Sequence, residues 1–339
     1  MKLLRKITIF SLIALFVCST SLLSVGCGKK KDYNTIELNE VTHSIFYAPL
    51  YVAINNGYFE EEGLTINLTN GGGSNTSMSA LLTGSADIIL AGPETVVFTQ
   101  QEGVSDKPVV FGQLTHCDGS FIVSKDAVEN FTLADLVGET IIGGRAGGLP
   151  AMTLEYIIEK NGYTIGTGAN EINLRTDVAF NLTASVWEGD SSVKYCTLFE
   201  PTATNVANQN GASIVASLGE MSGSIPYTCF ATRQSFLEKH EDVAEKFLKA
   251  IIKAYKFIEE NEAETVAEAL LPSFDGNTIS ELAVAVEHYM SIGAWSENMV
   301  LTEQSFTNLM NVMLNAEEIT ETSPWSSIVD NSLAEKLAA

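Results

Sequence analysis

Between residues 34 and 160 the sequence repeats one pattern: a short apolar run, a glycine-bearing turn, then a segment with helical spacing. Residues 34–41 and 64–68 place Ile36, Leu38, Ile66 and Leu68 near a period of two, the mark of strands, and Gly71-Gly72-Gly73 leads into a helix reaching Leu82. Gly84 stops that helix, residues 86–90 read as a buried strand, and Pro93 after Gly92 suits the first turn of another helix, where its missing N–H costs nothing. This βαβα order requires an open α/β sheet, and such sheets bind ligands where loops leave the carboxyl ends of strands. Three loops therefore become candidate ligand contacts: His43, Phe46 and Tyr47; Gly73, Ser74, Asn75 and Thr76, with Ser74 or Asn75 as helix cap; and Gly92, Glu94 and Thr95.

The pattern recurs further on. Residues 109–114 read as a strand, and residues 115–123, with His116 and Asp118, cross into a second lobe. There residues 141–144 open a strand, the turn with Arg145, Gly147 and Gly148 leads into a helix over 151–160, and residues 195–199 deliver Glu200-Pro201 to another loop. Residues 225–232, carrying Tyr227, read as the return strand. Beyond them Val243, Phe247, Ile251, Ala254 and Ile258 share one helical face, and the chain stays mainly helical to Lys336. The expectation is a first lobe from residues 34–117 and 230–339, a second from 118–229, and a ligand cleft between them.

Lys2, Arg5 and Lys6 precede an apolar run over residues 7–17, the layout of an export signal over residues 1–26. Leu22-Leu23-Ser24-Val25-Gly26-Cys27 resembles a bacterial lipobox, so Cys27 is the expected lipidation site and residues 27–33 a tether to the outer face of the membrane. Residues 27–339 carry a formal charge of −26, which repels nucleic acid and argues against it as a partner. Beyond Cys27 only Cys117, Cys196 and Cys229 remain, without CxxC spacing, so neither a disulfide framework nor a zinc site is expected. His43, His116, His240 and His288 never fall at metal-ligand spacing, and no GxSxG or SxxK motif marks a nucleophile. Neither a metal, a cofactor nor a catalytic residue is expected.

Each candidate has two readings. Phe46 and Tyr47 either pack in the core or stack on a planar ring. Glu94, Asp118 and Glu200 can accept hydrogen bonds from an amine, although an acid at a helix start is favoured in any case. Arg145 either clamps an anionic group or pairs with one of those acids. The triple glycine is not a Walker loop, because no Gly-Lys-Ser/Thr follows it. Three acids together with aromatic residues favour a planar, amine-bearing ligand.

Ala48-Pro49-Leu50-Tyr51-Val52-Ala53 through Gly63-Leu64, Gly84-Ser85-Ala86-Asp87 with Gly92-Pro93, and Phe199-Glu200-Pro201 together resemble the SsuA-like substrate-binding proteins of ABC importers. That group includes binders of thiamine-pyrimidine precursors, sulfonates, taurine and nitrate. The resemblance implies a two-lobed type II periplasmic-binding-protein fold, a small-molecule ligand taken at the interlobe cleft, an ABC permease as partner, and a monomer without enzymatic activity. It also tilts Phe46 and Tyr47 toward ligand contact. A related eukaryotic group makes the thiamine pyrimidine with a cysteine-rich motif, which this chain lacks. An aminopyrimidine is the favoured cargo; a sulfonate, taurine or nitrate is the alternative, and a secreted enzyme or a sensory or adhesion module on the same scaffold are alternatives of other classes.

Overall fold

The computed structural model describes residues 33–296 and 298–339, so the export signal, Cys27 and residues 27–32 of the tether lie outside the described residues. Residues 34–339 form one compact unit. It holds two five-stranded sheets. The first has the order β2 (Thr65–Asn70), β1 (Thr35–Glu40), β3 (Ile88–Ala91), β10 (Thr228–Arg233), β4 (Pro108–Thr115). In it β1 runs parallel to β2 and β3, while β10 runs antiparallel between β3 and β4. The second sheet repeats that order as β7 (Asn173–Arg175), β6 (Thr140–Ile142), β8 (Tyr195–Phe199), β5 (Ser120–Ser124), β9 (Ser213–Ser217), with β5 as the antiparallel strand.

Burial explains the strand sequences. Central β3 is buried along its whole length and reads as a continuous apolar run. Of the two edge strands, β4 is buried as well, covered by the C-terminal segment that bridges Val110 through Val329, whereas β2 is half-buried at Ile66 and Leu68 and otherwise exposed. The principal helices are α1 (Ala48–Asn55), α2 (Ser74–Thr83), α3 (Glu94–Gln101), α4 (Leu149–Lys160), α5 (Thr202–Asn210), α6 (Glu241–Glu260), α7 (Ile279–Ser291) and α8 (Glu303–Asn315). The first helix begins at Ala48, with Pro49 in its first turn. The strongly amphipathic α6 buries Val243, Phe247, Ile251, Ala254 and Ile258, and Phe247 meets Phe59, Phe111 and Phe230 at ring distances of 5.1, 6.1 and 4.9 Å. Thr132 and Asp135 form a capping box on a 3-10 turn.

Two segments connect the sheets, residues 116–119 and 223–227, and they run side by side: Ile225 N donates to His116 O at 2.9 Å and Tyr227 N to Thr115 O at 3.1 Å. The C-terminal region adds a third link, because α8 packs on α4 and Asn315 Nδ2 donates to Glu159 Oε2 at 2.9 Å. At the crossing the Phe46 ring lies flat on the bare backbone of Gly119, where an added Cβ would stand 2.5 Å from the ring. Gly119→Ala is therefore expected to lose about 1–3 kcal/mol of stability through overpacking, read as a lowered urea midpoint at unchanged slope.

Candidate functional site

Helices α2, α3 and α4 all begin on one cavity of about 80 Å³, lined at those starts by Gly73 and Ser74, by Gly92 and Glu94, and by Gly148, Leu149 and Pro150. None of the three has a side-chain cap, but at α3 Thr95 N and Val96 N donate to Gly92 O and Pro93 O and Glu94 N to its own carboxylate, so any first-turn amides open to a bound group are those of α2 and α4. The expected cap from Ser74 or Asn75 is not made. Extended Gly73 takes the cap position instead, and Ser74 becomes the first helical residue with its hydroxyl beside the cavity.

Glu94 carries the site's most unusual chemistry. It is 2% exposed, and its Oε2 has no hydrogen-bond partner. Burial pushes its pKa up to about 7, against the opposing pull of its own backbone N–H and of Arg145. The carboxyl folds back over Gly92, where any Cβ would overlap it, which explains a glycine at this turn. Arg145 lines the cavity from the second sheet's side and belongs to no ion pair among the described residues.

The aromatic residues divide. Tyr47 and Tyr227 line the cavity with Phe180 and Phe199, while Phe46 is fully buried behind them, 5.5 Å from Phe199 and 5.9 Å from Tyr227. The Tyr227 hydroxyl is buried and interacts with Asp118 on the first crossing, and its pKa lies well above the usual value, first from burial and then from Asp118. Val41, Thr42 and Thr228 complete the wall.

Of the expected contacts, Tyr47, Gly73, Ser74, Gly92, Glu94, Arg145, Gly148 and Tyr227 therefore come together. The others lie elsewhere, each for a physical reason. Phe46 is core. Glu200 spends its carboxylate on α5, accepting from Thr204 N and Thr204 Oγ1 at 2.9 Å each, and on His288 Nδ1 at 2.6 Å. That hydrogen bond raises the pKa of His288. Asp118 is fully buried, accepts from Ser120 N at 2.7 Å, and is raised to about 6 by burial. His43 turns away to Glu40 at 3.0 Å and to Ser273 O at 2.7 Å, and His116 bonds Gly293 O. Thr95 bonds back to Gly92 O at 2.7 Å, and Asn75, Thr95 and Gly147 line a separate, outer groove that Arg145 also borders; Thr76 is exposed on α2. Phe180, Phe199, Thr42, Leu149 and Pro150 are contacts that strand and helix periodicity did not single out.

Among the described residues no three His, Cys, Asp or Glu converge as metal ligands, and no helix is long and apolar enough to cross a membrane. Cys117, Cys196 and Cys229 are free and buried.

Two matching α/β sheets, linked by paired crossings and with helix starts from both sides meeting at a cavity, define a type II periplasmic-binding-protein fold, the class of the SsuA-like binding proteins. The family model described as NMT1/THI5 like matches residues 45–265, and the chain belongs to that family. It is 35% identical over 314 residues to the "Putative binding protein YtlA" of Bacillus subtilis, covering 93% of each chain. It is 24% identical over 278 residues to the "Formylaminopyrimidine-binding protein" of Halalkalibacterium halodurans, covering 79% of this chain and 80% of that one. The alkanesulfonate-binding protein SsuA from Xanthomonas axonopodis pv. citri, solved bound to MOPS, superposes with a TM-score of 0.69 at 15% identity, covering 88% of this chain and 99% of that one.

Two stability measurements follow. Glu94 holds its proton more tightly folded than unfolded, so stability falls as pH rises from about 4.5 to about 7 and the full penalty applies above that range. Glu94→Gln should therefore raise Tm at pH 8, by the equivalent of up to about 3 kcal/mol, and have little effect at pH 4.5. Glu200→Gln should cost about 1–3 kcal/mol by mispairing Thr204 N and His288, while leaving ligand affinity nearly unchanged.

Proposed function

We propose that this chain is the extracytoplasmic substrate-binding component of an ABC importer, and that the cavity at Glu94 takes a compact planar molecule bearing an amine, an aminopyrimidine in particular. The observation that carries this reading is the buried Glu94 oxygen without a partner on the cavity wall. An unpaired buried acceptor costs about 1–3 kcal/mol, and a ligand N–H would remove that cost. Tyr47, Phe180 and Phe199 offer ring faces, and the helix starts and Arg145 offer donors to ring nitrogens or a carbonyl. The formylaminopyrimidine-binding relative supports the same ligand chemistry. Residues 1–26 then act as the export signal and a lipid on Cys27 holds the protein at the membrane surface, as a monomer, with residues 118–229 forming the second of two lobes.

A sulfonate or taurine is the second reading, favoured by Arg145 and by the uncapped starts of α2 and α4 on one cavity. A thermal-shift screen of residues 29–339 separates the two. A true ligand at a hundred times its Kd adds about 2.7 kcal/mol. Stabilisation by formylaminopyrimidine is expected, and Glu94→Gln should weaken its binding by about 10- to 100-fold. A shift with alkanesulfonates alone would sink the aminopyrimidine reading and move recognition to Arg145 and Ser74. Because an ionised carboxylate accepts the ligand's N–H more strongly than the neutral acid does, Kd should fall as pH rises from 5.5 to 8 and level off above about 7, the pH to which burial lifts Glu94. Calorimetry in two buffers of different ionisation enthalpy, at pH 6, would detect the proton released on binding.

A further inference from the structure

Phe180 stands between two chambers. It lines the Glu94 cavity and also a second one of about 230 Å³, and the two share only Thr42, Phe180 and Phe199. The Phe180 and Phe199 rings lie 5.2 Å apart at 56°. Phe199 ends β8 and is braced from behind by Phe46 at 5.5 Å and Tyr227 at 6.1 Å. Among the described residues Phe180 makes one ring contact, with Phe199. It is half-buried on the 3-10 turn Phe180–Leu182, and its neighbours Asn181 and Leu182 are exposed. Buried Val178 and Thr183 tether the turn at its two ends, so the ring can shift without unravelling the sheet behind it.

The second chamber differs in chemistry. Thr197, Thr202, Asn181 and His43 line it, together with Glu200 and Ser44, of which the Glu200 carboxylate is already committed to Thr204 and His288 and the Ser44 hydroxyl to Glu200 O and Phe46 N. Hydroxyls and an amide suit a polar extension of a ligand rather than an apolar tail.

We propose that Phe180 sets the length of ligand this protein accepts. Packed against Phe199, it limits the inner cavity to a single-ring ligand; without it, the inner cavity joins the hydroxyl-lined chamber and admits a ligand with a polar extension. The inference rests on the aminopyrimidine reading of the Glu94 cavity, and the experiment separates the two. Isothermal titration would compare formylaminopyrimidine with thiamine, which carries a similar ring and a longer extension. Wild-type protein should bind the short probe at least tenfold tighter. Phe180→Ala should shift that ratio toward thiamine by tenfold or more, and Phe180→Trp should move it the other way. An unchanged ratio in folded Phe180→Ala, or equal wild-type affinities, overturns the inference while leaving the ligand reading intact. If neither probe binds wild type, the ligand reading falls and the inference with it. Should Phe180→Ala fail to fold, Phe180→Leu carries the same comparison, and an unchanged ratio there is equally decisive.

Discussion

The contact on which the arrangement of both sheets depends is the packing of the Phe46 ring on the bare backbone of Gly119. Phe46 belongs to the turn that follows β1, and Gly119 is the last residue before β5, so this contact ties the first sheet's leading loop to the start of the second sheet. Hydrogen bonds surround it. Ser44 Oγ donates to Glu200 O at 2.6 Å, Glu200 N donates to the Tyr289 hydroxyl at 2.9 Å, and that hydroxyl donates to Gly119 O at 3.0 Å. Tyr289 lies 5.1 Å from Phe46, so α7 seals the joint from outside. An aromatic cluster of this kind is worth more than its buried area, because offset ring pairs each add about 0.5–1.5 kcal/mol. The joint also fixes where Tyr47 and Phe199, one residue away from it on either side, present their rings.

Behind that joint, the cavity carries a carboxyl where a nonspecific apolar pocket would have none. A buried acid with a free oxygen is costly, and a chain with so negative a balance gains nothing from one more charge away from solvent. Its position at the start of α3 offsets part of that cost, since the helix amides favour an anion there, yet burial still dominates its pKa. Glu94 is therefore better explained by a partner that arrives with the ligand than by the fold. Glu200 shows the contrast: equally buried, it already has three donors, and its role is to hold α5 and α7 together.

Much of this was readable in advance, and the limits of that reading have physical causes. Glycine marks the ends of β-to-α turns whatever else surrounds them, so the loops at Gly73, Gly92 and Gly148 were identifiable from local sequence, along with Ser74 and Glu94 just inside the helices. Phe46 and Tyr47 could not be separated, because adjacent residues on a 3-10 turn diverge by a rotation that only the surrounding packing selects. The packing role of Glu200 was not legible because its partner, His288, lies 88 residues further along the chain. Phe180 sits in a short turn without strand or helix period, so pattern reading had no signal for it.

Tyr227 joins the cavity to the crossing segments. It sits on the second crossing segment, its backbone N–H paired with Thr115 O at 3.1 Å, while its ring lines the cavity and its hydroxyl stands near Asp118 on the first crossing. Glu94 reaches the cavity from the first sheet and Arg145 from the second. A ligand touching both gains contacts only when the two sides are close, and its differential affinity for that state is the free energy available to shift the equilibrium. The Tyr227 hydroxyl and Asp118 are both buried and interact with each other, so a polar pair spans the two crossing segments. A ligand hydrogen bond to that hydroxyl would favour the arrangement in which the crossings are held as they are here, so the same few residues that read the ligand would also set the angle between the sheets.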